Sequence, residues 1–236
     1  MSDPVTRSAP KWETDAKENI KAAIRRFQKP ISDLVARDVN EGDTRIFVND
    51  FLRSALDYDQ YADLTTEFAV RGEFADYGIR IEQQLVAFIE VKRAAQALSA
   101  RHLRQVETYA VKEGLEWVIL TNGRVWQAYH VSARTGQQVA TTLVFEVDLL
   151  GDEAPAKKVS KLFHLHRSAL KRQTIAELWK QQAATSPSAL AKVLQSDAVL
   201  TAIRTEIWRN SRFKPDVKEL EDSLRSQVIR PELLLP

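Results

Sequence analysis

Apolar positions along the chain change their spacing several times. Near the start they recur with helical period and predict a helix over about Trp12–Gln28, stopped by Pro30, then a second short helix over about Ile31–Val39. Asn40 is a helix cap, and Ile46, Phe47, Phe51 and Leu52 continue a third helix to about Leu56. Residues 63–70, 74–82 and 84–92 alternate or run apolar between turn signals, which predicts three consecutive strands in a meander. Ser99 then caps a helix to about Lys112, with Gly114 just past its end. Strands follow at about 115–121, 124–132 and 138–147, the first two joined by a tight Asn122-Gly123 turn. The remainder predicts four helices, at about 157–170, 174–184, 188–209 (broken near Ser196) and 215–228.

Strands followed by a helix and further strands give a mixed sheet with packed helices, an α/β core. All seven glycines lie between Gly42 and Gly151, and no proline occurs from Ile31 to Ala154, so turns and uninterrupted elements gather in the middle. The expected organisation is N-terminal helices (1–40) packed on a core (41–150), with a helical C-terminal extension (151–236) after a short linker at Gly151–Pro155. In that extension Leu162, Ile175, Leu190, Val193, Leu200 and Trp208 are candidate buried positions. They are too apolar to stand free, and predict packing on the core or on a second copy.

Composition narrows the chemistry. The chain has 236 residues and no cysteine, which excludes a disulfide framework, thiolate metal ligation and a cysteine nucleophile. No apolar run approaches the roughly 18 residues that a membrane helix needs, and the first residues lack the apolar stretch of a secretory signal; the expectation is a cytoplasmic protein. Neither GxxxxGK(S/T) nor GxGxxG occurs, so no nucleotide-driven motor is expected in this chain. The net charge of +2 hides an uneven distribution: residues 41–150 hold 11 basic and 16 acidic side chains, whereas 151–236 hold 15 basic and 10 acidic. That division fits both a metal-binding core with a cationic flank and ordinary surface variation.

The segment Gln84 to Lys92 is the most informative. Leu85, Ala87, Ile89 and Val91 share one face of the strand, and Val86, Phe88, Glu90 and Lys92 the other. Both faces are apolar up to Ile89, so this is expected to be a central strand with Glu90 and Lys92 side by side at its end. An ion pair is one reading; a charged site is the other, because burying two unsatisfied charges costs several kcal/mol or more. Asp76, one hairpin earlier, is expected opposite or diagonal to Glu90. Neighbouring carboxylates repel, and a hard cation such as Mg²⁺, which takes one or two carboxylates, relieves that repulsion. On the following helix Arg101, Gln105 and Tyr109 form a stripe apart from the expected buried residues Leu103, Val106 and Ala110. Glu41 opens the third helix, where a carboxylate also favours the helix dipole.

Asp76, then Glu90-Val91-Lys92, then Gln105 and Tyr109 as QxxxY, preceded by Glu41, resembles the PD-(D/E)xK nuclease superfamily. Within it the likeness is to the N-terminal nuclease domain of type I restriction enzyme R subunits and to stand-alone predicted type IV restriction endonucleases. The segments that carry it are Asn40 to Arg45, Ala75 to Tyr77, Ile89 to Lys92, Gln105 to Tyr109 and Leu120 to Tyr129. Ala75 departs from the proline of the family's name. The resemblance implies a restriction-endonuclease-like fold and Mg²⁺- or Mn²⁺-dependent hydrolysis of DNA phosphodiesters. It implies that Asp76, Glu90 and the main-chain carbonyl of Val91 bind the metal, and that Glu41 completes the acidic cluster. Lys92 would orient the attacking water, and Gln105 and Tyr109 would support the site or hold the phosphate backbone.

Other features read more plainly. Asn122, Gly123, Trp126 and Tyr129 fit a turn with inward aromatics better than a substrate contact. His164 and His166, two apart, fit polar or capping roles rather than a metal. Lys157, Lys158, Lys161, Arg167, Lys171 and Arg172 fit a solvated face and a DNA track about equally. Cutting both strands of a duplex needs two sites or two visits, which makes a homodimer the expected assembly.

Overall fold

The structure is a computed structural model, and it describes residues 9–70, 73–132 and 139–233. Helix α1 (Lys11–Ala36) and helix α2 (Glu41–Leu56) precede strands β1 (Leu64–Val70), β2 (Glu73–Ile81) and β3 (Gln84–Val91). Helix α3 (Ala100–Glu113) crosses to β4 (Trp117–Thr121), and β5 (Val125–Ser132) and β6 (Ala140–Asp148) complete the sheet. The strands lie in sequence order, antiparallel throughout except for the β3–β4 pair. This is an α/β architecture with a six-stranded mixed sheet, and β3 is an interior strand as its doubly apolar pattern predicts. The expected turn glycines Gly72 and Gly136, and position 138 at the start of the last predicted strand, lie outside the described residues.

Helices cover both faces of the sheet. Phe88 of β3 and Val118 of β4 pack under α3 with Val106, Tyr109 and Ala110. Trp126 of β5 points the other way and meets Phe51 of α2, with ring centroids 5.0 Å apart. Behind α2 lies α1, whose Ile20, Ile24, Phe27 and Ile31 recur at helical spacing and are buried. Pro30 does not end this helix, contrary to the sequence expectation. It removes one backbone hydrogen bond, but Phe27 and Ile31 on either side are buried, and Phe27 packs edge-on against both Phe47 and Phe51. Tertiary packing thus holds the helix through the proline.

The helix expected over 157–170 is two: α4 (Pro155–Phe163) and α5 (Arg167–Lys171). The break is at His166, whose extended backbone and ring nitrogen, accepting from Ser168 N–H at 3.2 Å, cap α5. His164 Nδ1 lies 3.1 Å from the Thr174 hydroxyl. Both histidines therefore take polar and capping roles. Most of the basic run is engaged within the fold. Buried Lys158 donates to the carbonyls of Leu149 and Gly151, Lys161 pairs with Glu153, Arg167 with Asp63 and Lys171 with Glu82, while Arg172 lies over the Trp12 ring.

The chain divides into two compact units, residues 1–176 and 177–236. Helix α6 (Thr174–Ala184) spans the division, and the second unit continues with α7 (Pro187–Leu194), α8 (Asp197–Ser211) and α9 (Val217–Ser223). Ser196 marks the expected break. Of the candidate buried residues, Leu162, Ile175 and Leu200 are buried, whereas Leu190, Val193 and Trp208 are exposed. Short helices cannot enclose every apolar residue on their surfaces. Among the described residues no helix is long and apolar enough to cross a membrane.

The Asn122-Gly123 turn joins the sheet to the α1–α2 layer. Gly123 has φ +79°, and a Cβ there would meet Phe47 at 3.0 Å and Ile31 at 3.1 Å. Gly114, with φ +69°, has nothing within 4 Å of such an atom. Both substitutions by alanine pay the left-handed penalty of about 1–2 kcal/mol, and only Gly123→Ala also crowds the core. Chemical denaturation should show Gly123→Ala as the more destabilising by about 1 kcal/mol or more; equal losses would mean that the turn is not packed against the helices.

Candidate functional site

The C-terminal end of β3 gathers the charged residues. The register Tyr77↔Ile89 counts Asp76 against Glu90 across the β2–β3 pair. Asp76 Oδ2 accepts the Val91 N–H at 2.7 Å, so a carboxylate replaces the next ladder hydrogen bond. Beyond Val91 the chain is pinned again, since Lys92 N–H donates to the Thr121 carbonyl at 2.8 Å. Helix α2 enters from the side. Asn40 caps it, accepting from Asp43 N–H, which sets Glu41 in its first turn.

Glu90 is 2% exposed. Its Oε1 accepts from the Lys92 ammonium at 2.5 Å, while its Oε2 is buried without a hydrogen-bond partner. Lys92 also lies 3.8 Å from Glu41 Oε2, so the ammonium stands between two carboxylates. Arg45 of α2 pairs with Asp76 Oδ1 at 3.2 Å. Burial, and then the charge of Asp76, push the Glu90 carboxyl up to about 7 against the pull of Lys92. Burial likewise raises Asp76, opposed by its Val91 hydrogen bond and by Arg45. Burial alone would lower Lys92, but Glu90 hydrogen-bonded to it, with Glu41 and Asp76 nearby, outweighs that and raises it.

The structure thus brings Glu41, Asp76, Glu90, Val91 and Lys92 to one place. It does not draw Gln105 and Tyr109 into the same hydrogen-bond network. Gln105 Nε2 donates to the Tyr109 hydroxyl at 3.1 Å, and Tyr109 is buried among Val70, Ala75 and Phe88. The expected polar stripe is therefore half core: the ring supplies apolar contact and the hydroxyl finds a partner on its own helix. Trp126 is likewise core, its indole donating to the Gly123 carbonyl at 3.0 Å.

Two residues near the site belong to the Asn40–Arg45 segment of the resemblance but are given no role by it. Thr44 is fully buried, and its hydroxyl accepts from Ala94 N–H at 3.0 Å, tying the loop after Lys92 to α2. Arg45 is the second; a charged residue within a motif reads from sequence as ordinary surface. Among the described residues no three histidine, cysteine, aspartate or glutamate side chains converge as a metal-binding group. Glu41 lies nearest to Lys92, and its charge also reaches Asp76 and Glu90. The donors that fit a hard divalent cation are hence the two carboxylates and a main-chain carbonyl, with the unpartnered Glu90 Oε2 the atom most in need of one.

The carboxyl of Glu90 gains affinity for a proton on folding, so between about 4.5 and 7 the folded chain binds more protons than the unfolded one. Its contribution is most favourable at low pH and falls as pH rises to about 7. Glu90→Gln has no such dependence. In EDTA the stability of this variant relative to the natural chain should increase across that window by up to about 3 kcal/mol. Paired thermal melts from pH 4.5 to 8 would measure it, and a constant difference would show that Glu90 titrates normally. Compared with known proteins, the chain matches no protein-family model, no curated protein and no solved structure.

Proposed function

We propose that the protein is a divalent-metal-dependent DNA endonuclease with a restriction-endonuclease-like fold, acting in restriction or phage defence. The observation that carries this reading is the Glu90 carboxylate, buried at a sheet end with Lys92 on one oxygen and no partner on the other. A carboxylate placed so is costly for the fold alone and suited to holding a cation opposite Asp76. The ordered motif set, with Lys92 beside Glu90 and Glu41 within reach of Lys92, also supports it.

Asp76 and Glu90, with the Val91 carbonyl, would hold Mg²⁺ or Mn²⁺. When bound, the cation supplies positive charge to a phosphoryl oxygen and lowers the pKa of water. The chain's own residues do the rest. Lys92, kept protonated by its carboxylate neighbours, orients the attacking water and offsets charge that builds on the phosphate. Glu41 holds Lys92 from the other side. The water oxygen bonds to phosphorus as the bond to the leaving sugar oxygen breaks; the proton of the attacking water passes to solvent, and the leaving oxygen takes a proton from solvent to become a hydroxyl. Gln105 and Tyr109 support the helix beside the site.

A second reading is favoured by the pairing of each carboxylate with a cation, Asp76 with Arg45 and Glu90 with Lys92. Such a network suits a non-cleaving DNA-binding module, and a repair nuclease acting on structured DNA is the third arm. Cleavage assays on methylated plasmid, unmethylated plasmid and branched DNA, with and without nucleotide triphosphate, separate the three. Mg²⁺ or Mn²⁺ should support cleavage and EDTA should abolish it. Glu90→Ala should remove activity, and Lys92→Ala should lower turnover by about 100-fold or more while changing DNA affinity little. Activity that survives EDTA would overturn the proposal. Equal losses of turnover and binding would make Lys92 a phosphate anchor.

Two-strand cleavage also motivates a homodimer, for which Leu190, Val193, Trp208 and Phe213 of the second unit offer exposed apolar surface. Light scattering at tens of micromolar should give twice the chain mass; a monomer at that concentration would exclude a stable dimer.

A further inference from the structure

Strand β1 departs from regular geometry at one residue. The β1–β2 ladder pairs Thr66 with Tyr77 and Phe68 with Ala75, which counts Glu67 against Asp76, yet that pair is missing. Glu67 has φ 48°, a conformation that is unfavourable for any residue with a Cβ. Counted by register, Glu67, Asp76 and Glu90 fall at the same level of three adjacent strands, with the backbone distorted at Glu67. Arg45 sits over the outer pair, its guanidinium 3.2 Å from Asp76 Oδ1 and 3.6 Å from Glu67 Oε1.

The main chain of Arg45 is fixed, because its carbonyl accepts from the Tyr77 hydroxyl at 2.9 Å. Only the side chain is held by charge. It lies along a groove of about 410 Å³ lined by Arg45, Ile46, Asn49, Thr66, Glu67, Asp76 and Tyr77. That volume lies within the roughly 300–1,000 Å³ of small-ligand sites. Ile46 is 71% exposed on this rim and offers an apolar surface there.

We propose that this groove between α2 and the β1–β2 strands is a phosphate subsite, with Arg45 as its binding residue for the DNA phosphodiester adjoining the one cleaved. The inference rests on the nuclease reading of Asp76 and Glu90. A cation held by Asp76 and Glu90 would compete with the guanidinium for Asp76, and the planar fork of arginine matches two phosphate oxygens. Glu67, exposed and strained, is the anion that the phosphate replaces. The groove has room for the sugar and phosphate of one strand, with Ile46 against the sugar.

The test measures DNA affinity by fluorescence anisotropy of a labelled duplex in Ca²⁺, and Mn²⁺ affinity by calorimetry. Arg45→Ala should weaken DNA binding roughly tenfold, the weight of one charge-assisted hydrogen bond, and lower the salt slope by about 1. Arg45→Lys should recover only part of the affinity. Neither variant should weaken Mn²⁺ binding, since Arg45 competes with the cation for Asp76. Glu67→Gln should tighten DNA binding in the natural background and not in the Arg45→Ala background. An equal gain in both backgrounds would reduce Glu67 to a general surface charge and overturn the subsite. Weakened Mn²⁺ binding by a folded Arg45→Ala would make Arg45 a support for Asp76 and overturn it too. If the natural chain cleaves and binds Mn²⁺ while both Arg45 variants keep full DNA affinity, this inference alone fails. If the natural chain binds neither Mn²⁺ nor DNA, the nuclease reading fails with it.

Discussion

The cost of an ionised carboxylate inside the protein organises the region around β3. Glu90 lies at the end of an interior strand, where backbone bonds run to neighbours on both sides and water is excluded. One oxygen is answered by Lys92, itself held by Glu41 from the first turn of α2. Asp76 adds a second negative charge from β2 and in turn needs Arg45. Helix α2 is thus fixed to the sheet by charge at its N-terminal end and by Phe51 on Trp126 further along. Apolar packing sets how the layers meet, and the charge set determines which residues of those layers face each other.

Much of this was legible in the sequence because the relevant signals are local. The doubly apolar run up to Ile89 marks an interior strand, Asn40 and Ser99 mark helix starts, and the Asn122-Gly123 dipeptide marks a turn. The short hairpin brings Asp76 near Glu90, but the two are level only because of a bulge between Ile79 and Arg80, which has no mark in the sequence. What the sequence could not supply depends on partners far along the chain. The local effect of Pro30 is that of a helix stop, and the aromatic contacts of Phe27 that outweigh it lie on another helix. Tyr109 was placed on a polar stripe by its spacing, although the sheet beneath α3 buries it. The cations of the 157–172 run looked free because Asp63, Glu82 and Glu153, which bind three of them, are remote or on a separate loop.

Arg45 shows a different limit. Its role depends on the missing ladder pair at Glu67, and a positive φ at a glutamate leaves no trace in composition or periodicity. A residue that is ordinary by type becomes distinctive only through its neighbours. The same holds for Thr44, whose buried hydroxyl binds the loop after Lys92. Side chains that fix the backbone around a site are the hardest to find from a pattern, since serine, threonine and arginine occupy many surfaces without consequence.

The single parallel pair has a consequence for how the chain reaches this state. Within β1–β2–β3 and within β4–β5–β6 the antiparallel neighbours are consecutive in the chain, whereas the β3–β4 pair joins strands separated by α3, a non-local contact of the kind that slows folding. The Lys92 N–H finds the Thr121 carbonyl only across that pair. During synthesis the two carboxylates and the lysine have all left the ribosome well before Thr121 does. Asp76, Glu90 and Lys92 are therefore made before the strand whose Thr121 carbonyl holds the Lys92 backbone.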